Sequence, residues 1–477
     1  MFFIISVETL ASKSFVHFTR SLVRSAEVCC ADTTLKACQN VNLDTKLLET
    51  GEDLSINDIE LKFSNRVPPH GFTYKSSNGD EAVISYNPST GNIFGSLKTT
   101  DGRSFAIEKC SSGQIWKEFD TATFDAKEDK AIKLDLPEKK KGLKEAHSAQ
   151  DNQTVINYTL MVYYTPEFAA ATDDIPGFID QAIAETNQGY LNSEIPLTVS
   201  LFCLEAATIN DIADTSTFIS TFSQMKGTVS DLRNTADAAV LMALNFNSCG
   251  VGYLAQASSG WTVSITSKHC ALGYYTFAHE IGHNFGCHHN PEEAANTYFS
   301  YGHAYLIPAG TDSQGRRTIL SYSASGHTTR VNYYSNPAVI YPGTGTATGQ
   351  APLSNNAAVI TENRFDFAGL GDESGSCDGV TASPGPVTTA SPGASSSPSS
   401  GSCGNCVFPF LYGGRQHDTC TTIDGDNPWC ATQVDSSGNF VNGAWEYCQD
   451  ASCPGTSVTT TPQMTVSPGN EVGSCCK

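Results

Sequence analysis

Three histidines, a glutamate and a glycine within one short stretch set the chemistry this chain can perform. His279-Glu280-Ile281-Gly282-His283-Asn284-Phe285-Gly286-Cys287-His288-His289 reads H-E-x-x-H-x-x-G-x-x-H. On a helix, residues four apart share a face, so His279 and His283 can present imidazole nitrogens to one metal ion. Glu280 sits beside the first of them, where a carboxylate can take the proton of an attacking water without occupying the metal. Gly286 falls where the helix must stop, because glycine accepts the left-handed conformation of a helix C-terminus. The reversed chain then brings His289 back as a third ligand. Three histidines and one open position describe a catalytic site for a single Zn2+ rather than a closed structural one.

Thr276 to Asn290 resembles the zinc helix of the metzincin endopeptidases, and the run His279–Gly286 is most similar to the adamalysin/reprolysin branch. The resemblance implies an α/β (α+β) zincin-like catalytic domain with a mixed sheet and a zinc helix. It also implies hydrolysis of internal peptide bonds in protein or peptide substrates, with Glu280 as the catalytic acid–base. Two positions depart from the pattern. Asn290 stands where adamalysins usually carry aspartate. Arg317–Tyr322 is similar to the family's turn beneath the zinc, but Leu320 occupies its methionine position, and no methionine lies between Met242 and Met464. Leucine is close to methionine in volume, so the exchange is expected to leave a supported site.

Tyr322 follows Leu320 by two residues. In astacin-like and serralysin-like relatives a tyrosine at that offset touches the zinc and stabilises the transition state. Packing beside the pocket is the other reading. Val331–Pro337 resembles the family's pocket wall, which shapes the cleft for the side chain after the scissile bond. Gly252-Tyr253-Leu254-Ala255 resembles the sheet edge along which an extended substrate pairs.

The chain has 477 residues, enough for two or three domains, and a formal net charge of −21, which argues against nucleic acid as a partner. Between Glu145 and Ser402 only seven Lys or Arg occur. The acidic surface is mainly a solubility feature. Some of its carboxylates could bind Ca2+, although no calcium motif indicates it. Seventeen cysteines point to an oxidising compartment, hence to a secreted, extracellular protein, and Asn152-Gln153-Thr154 and Asn157-Tyr158-Thr159 are acceptor triplets for glycosylation. Met1–Val7 is apolar but is interrupted by Glu8 and lacks a basic flank, so it reads as a weak signal peptide. No run is long and apolar enough to span a membrane.

Five segments follow from composition: 1–145, 152–370, 371–402, 403–453 and 454–477. The first reads as a separate β-rich leading domain, with strands at Ala82–Tyr86 and Asn92–Leu97. It ends in Lys139-Lys140-Lys141-Gly142-Leu143-Lys144, either a solvated charge cluster or an accessible processing site. Its position resembles the propeptide junction of secreted metzincins, which implies a zymogen. Cys110 is then a candidate for a cysteine switch on the zinc, with ordinary pairing to Cys29, Cys30 or Cys38 as the alternative.

Within 152–370, strands are expected at Val155–Tyr164, Pro196–Cys203, Ala238–Leu244, Gly252–Ala255 and Trp261–Ile265, with a helix over Pro176–Tyr190. Cys249 and Cys270 flank the last two strands and are expected to join. The segments 371–402 and 454–477 are rich in Ser, Pro, Gly and Thr and read as a linker and a low-complexity tail.

Cys406, Cys420, Cys430 and Cys448, with many aromatics between them, indicate a small disulfide scaffold. The segment resembles a fibronectin type II module. That resemblance implies the pairs Cys406–Cys430 and Cys420–Cys448, with Cys403–Cys453 left as an outer pair. It also implies collagen, gelatin or another matrix polymer as a ligand, with Phe410, Tyr412, Trp429 and Trp445 as either the binding aromatics or the module's core. The sequence therefore reads as a secreted zinc metalloendopeptidase with a tethered binding module. The rival reading is a secreted matrix- or glycan-binding protein with a catalytically weak protease fold.

Overall fold

In a computed structural model of the chain, the described residues are 13–14, 16–18, 35–125, 130–133, 154–370 and 406–448. Within these, positions 57–58, 88–89, 112, 226–235, 255–261, 293–297, 311–313, 369, 413–414, 418–419, 422–428, 433 and 435–444 are excepted. Contacts divide the chain into two compact units, Met1–Pro392 and Gly393–Lys477. The division falls inside the Ser/Pro-rich linker.

The part of the chain that carries the histidine motif is built on a six-stranded mixed sheet. Its order is Lys130–Lys133, Gly250–Leu254, Val263–Ser267, Ala238–Ala243, Ile156–Tyr164, Leu197–Ala206. The last four run parallel to one another, while Gly250–Leu254 is antiparallel to Val263–Ser267. Ala238–Ala243 is buried at every residue, as its unbroken apolar run requires of a central strand. One face packs Val162 and Val240 against Phe178, Ile183 and Ile281 from the helices Ile175–Asn192 and Thr276–Asn284. The other packs Leu241 and Val251 against Phe218 and Phe222 from Thr215–Gln224. A layered α/β arrangement results.

The sequence places the sheet edge at the Gly252 segment, and the structure corrects this. Lys130–Lys133 pairs in parallel with it, Ala131 opposite Gly252 and Lys133 opposite Leu254, and becomes the edge.

Residues before 125 form a ten-stranded sheet, largely of antiparallel hairpins such as Glu81–Asn87 with Asn92–Lys98. Its core includes Leu54, Leu61, Tyr74 and Ile84, with Phe105 stacked on Trp116 at 4.9 Å. This region is not separate in its contacts. It wraps the helix Ile175–Asn192, of whose 18 residues 15 are buried. A helix covered on both sides must find partners for its polar groups on both. Gln181 accepts from Ser85 N and donates to Val83 O, both at 2.9 Å, and Asp180 faces His70 Nδ1 at 2.9 Å. Phe94 joins the main core beside the six-stranded sheet, its ring 6.3 Å from that of Phe178.

The C-terminal unit holds two short hairpins, Phe410–Tyr412 with Arg415–His417 and Trp429–Ala431 with Trp445–Tyr447. They are joined by the disulfides Cys406–Cys430 and Cys420–Cys448. No helix among the described residues is long and apolar enough to cross a membrane.

Candidate metal centre and active site

The helix Thr276–Asn284 is anchored on the sheet by Asn284, whose Nδ2 donates to Tyr253 O at 3.0 Å and Val263 O at 3.1 Å. The helix ends at Phe285, and Gly286 turns the chain with φ +89°, a left-handed value that glycine adopts without strain. That reversal returns His289 to the helix face. The Nε2 atoms of His279, His283 and His289 lie 2.9, 3.0 and 3.2 Å apart, a cluster able to hold one metal ion.

The outward nitrogens fix the rings. His279 Nδ1 donates to Ile319 O and His283 Nδ1 to Cys287 O, each at 2.8 Å. With the proton held on Nδ1, each Nε2 lone pair faces the cluster centre. His303 Nδ1 lies 3.1 Å from the His289 carbonyl. Burial lowers the proton affinity of all three imidazoles, with Arg330 adding to it; neighbouring histidines add to it for His279 and His289, while for His283, at about 4, the bond to Cys287 O acts in the opposite sense. The rings are therefore neutral at pH 7, the state in which imidazole binds a metal.

Glu280 is fully buried beside this cluster. A Cβ at Gly250 would overlap its carboxylate, and one at Gly252 would stand 3.0 Å from its Oε2. Glycine in a strand interior commonly marks such a close approach. Gly250 is a site residue that the sequence reading did not single out, and Gly252 was read there only as part of a substrate-pairing edge, although a Gly-x-Gly in the strand before the histidine helix is a visible signal.

Beneath the helix, Leu320 is fully buried in the main core, and its Cδ2 would lie 2.9 Å from a Cβ at Gly282. Leucine fills the space under the histidines. Tyr322 lays its ring over His289, with ring centres 3.9 Å apart. The wall segment follows, with Tyr334 Oη donating to Ala278 O at 2.7 Å. Cys249 and Cys270 are joined, bracing the strand that carries Gly250.

At two positions where the sequence leaves alternatives open, the structure takes one of them. Cys110 is disulfide-bonded, so its sulfur has no thiolate to offer a metal. It lies at the end of a strand in the N-terminal sheet. Phe410 and Trp429 are buried and form the core of the small module, because a fold of this size has few other apolar groups to bury. The side chains of Tyr412 and Trp445, the pair Cys403–Cys453 and the basic run Lys139–Lys144 lie outside the described residues.

With this geometry in view, residues 155–335 match the family described as Metallo-peptidase family M12, and residues 406–448 match the Fibronectin type II domain. The chain thus carries a metallopeptidase domain followed by a fibronectin type II domain. Over 223 residues it is 30% identical to a peptidyl-Asp metalloendopeptidase of Stenotrophomonas maltophilia (strain K279a), covering 44% of this chain and 52% of the relative. A protein of the same description from Xanthomonas campestris pv. campestris is 30% identical over 243 residues, 50% of this chain and 56% of the relative. One from Pseudomonas fragi is 28% identical over 157 residues, 33% of this chain and 85% of the relative. The chain spans about half the length of the first two relatives.

Proposed function

We propose that the chain is a zinc-dependent metalloendopeptidase, secreted as a zymogen, that hydrolyses internal peptide bonds of proteins. The observation that carries this reading is the convergence of three buried imidazole nitrogens within 3.2 Å of one another, with a buried carboxylate on the residue after the first. His279, His283 and His289 would hold Zn2+ through Nε2, and the donor set suits that ion. When bound, the ion would polarise the scissile carbonyl and acidify water. Glu280 would take the proton of the attacking water and pass it to the leaving amine. Tyr322, packed on His289, is assigned to stabilising the developing negative charge.

The zymogen reading is supported by the strand Lys130–Lys133, which occupies the backbone hydrogen-bonding edge of Gly250–Leu254. An extended substrate pairing on that edge would have to displace it. Processing within the basic run Lys139–Lys144 would permit this. The relatives' description as peptidyl-Asp metalloendopeptidases suggests cleavage at aspartyl bonds, and we extend that preference to this chain. The fibronectin type II domain is assigned a matrix polymer such as collagen or gelatin, which it would concentrate near the protease.

The test is metal content and turnover together. The processed chain should carry one zinc per molecule and cleave casein, lose cleavage to a chelator and regain it with added zinc. His283→Ala should carry none. Chelator-insensitive cleavage would remove the metal from the account.

A further inference from the structure

Residues 35–125 and the short strand Lys130–Lys133 are attached to the metallopeptidase domain in different ways. The strand lies at the end of the six-stranded sheet, where its four residues pair with residues 251–254. An edge strand that short leaves readily once one of its ends is free. The ten-stranded sheet is held over a broad face instead.

Three apolar clusters are built from both sides of that face. Phe94 packs in the main core with Phe178, Val67 and Val83 pack with Ala184, and Phe119 and Phe124 pack with Tyr274, all of them buried. The fit is close in both directions. A Cβ at Gly71 would stand 2.8 Å from the Cβ of Ala184, and one at Gly177 would stand 2.5 Å from the Phe94 ring. The helix Ile175–Asn192 also finds polar partners there. Asn192 Nδ2 donates to both carboxylate oxygens of Glu81, at 3.0 and 3.1 Å, and Asn187 Nδ2 donates to Pro68 O at 3.0 Å. Glu108 reaches Lys268 across the same face at 3.3 Å. Separating the two parts would return these aromatic rings to water and break a buried ion pair.

The face extends to the turn that starts the histidine helix. Gly273 and Tyr275 both take positive φ, +70° and +63°, and a tyrosine keeps such a value only where its surroundings impose it. Those surroundings include the N-terminal sheet. The Phe124 ring lies 4.9 Å from that of Tyr274, and Lys98 Nζ lies 5.9 Å from the centre of the Tyr275 ring. A Cβ at Gly273 would stand 3.4 Å from Phe105 O.

We propose that a cut between Lys133 and Thr154 frees only the strand and leaves residues 35–125 docked as a second chain of the enzyme, bracing the turn before His279. The proposal rests on the zymogen reading for the cut and goes beyond it in what stays behind.

The experiment uses the full chain with an N-terminal affinity tag and with Lys139–Lys144 replaced by the recognition sequence of a site-specific protease. Once a denaturing gel without reductant shows two pieces, they should still elute as one species at micromolar concentration, and zinc should follow the tag. In dilute urea, Lys268→Met should speed release of the tagged piece at least tenfold, because it breaks the ion pair with Glu108. Phe124→Ala, which opens the packing on Tyr274, should do the same and replaces Lys268→Met if that variant loses zinc before the cut. Zinc should leave the larger piece faster once the tagged piece has gone. Separation of the wild-type pieces without denaturant, with zinc kept by the larger one alone, overturns the proposal, as does wild-type release from both variants. Casein cleavage by the uncut chain at the rate of the cut one sinks the zymogen reading alone. Co-elution with no cleavage by the pair or by the larger piece leaves the docking standing and sinks the metalloendopeptidase.

Discussion

Asn290 Oδ1 accepts the backbone N–H of Tyr322 at 2.9 Å, and the same oxygen accepts the Ser321 hydroxyl at 2.9 Å. One side-chain atom therefore ties the residue after the third histidine to the turn that carries Leu320 and Tyr322. Both of its partners donate, so a carboxylate could serve equally well. Asn290→Asp should keep cleavage within a few-fold of wild type. Asn290→Ala should weaken zinc binding about tenfold or more, as loss of a supporting partner around a metal typically does. Competition with a zinc indicator measures both. Equal behaviour of the two variants would contradict the role given to this oxygen.

Gly250→Ala places a methyl group where the Glu280 carboxylate now sits. The histidines are untouched, so one zinc per chain should remain while kcat falls about a hundredfold, the usual scale for displacing a catalytic group by about an ångström. Activity near wild type would show that the carboxylate has room to move.

Leu320→Met restores the residue that the resemblance leads one to expect beneath the helix. Because Leu320 already fills the space under Gly282, the exchange should change stability by less than about 1.5 kcal/mol and cleavage by less than about threefold. A tenfold gain in kcat would mean that leucine limits the site.

Glu108 joins the N-terminal sheet to the metallopeptidase domain, meeting Lys117 Nζ at 2.9 Å and Lys268 Nζ at 3.3 Å. Burial alone would raise its carboxyl. The two ammonium groups overcome that and leave it at about 2, below its ordinary 4.5. A depressed carboxyl stabilises the fold above its unfolded value, and that contribution fades as the pH falls through the folded one. Thermal stability of the unprocessed chain should therefore drop between pH 4.5 and 2. Glu108→Gln should flatten that part of the profile and cost roughly 3 kcal/mol at pH 7. Parallel pH profiles for the two proteins would contradict the ion pair's part.

The histidine helix was legible because its requirements are local: four-residue spacing, then a glycine to reverse the chain. The central strand Ala238–Ala243 was legible from its unbroken apolar run. The strand Lys130–Lys133 was not, since four residues carry too little pattern and its partner lies far along the chain. Cys110 offered a free thiol only as long as its disulfide was unknown. In the small module the sequence leaves Phe410 and Trp429 as either binding aromatics or core, and they supply the core.

The most direct test of the central claim is the rate of casein cleavage by the processed chain beside processed Glu280→Ala, with zinc measured on both. The account predicts one zinc per chain in each protein and cleavage in the wild type alone. Equal cleavage by the two, at equal zinc content, would contradict it.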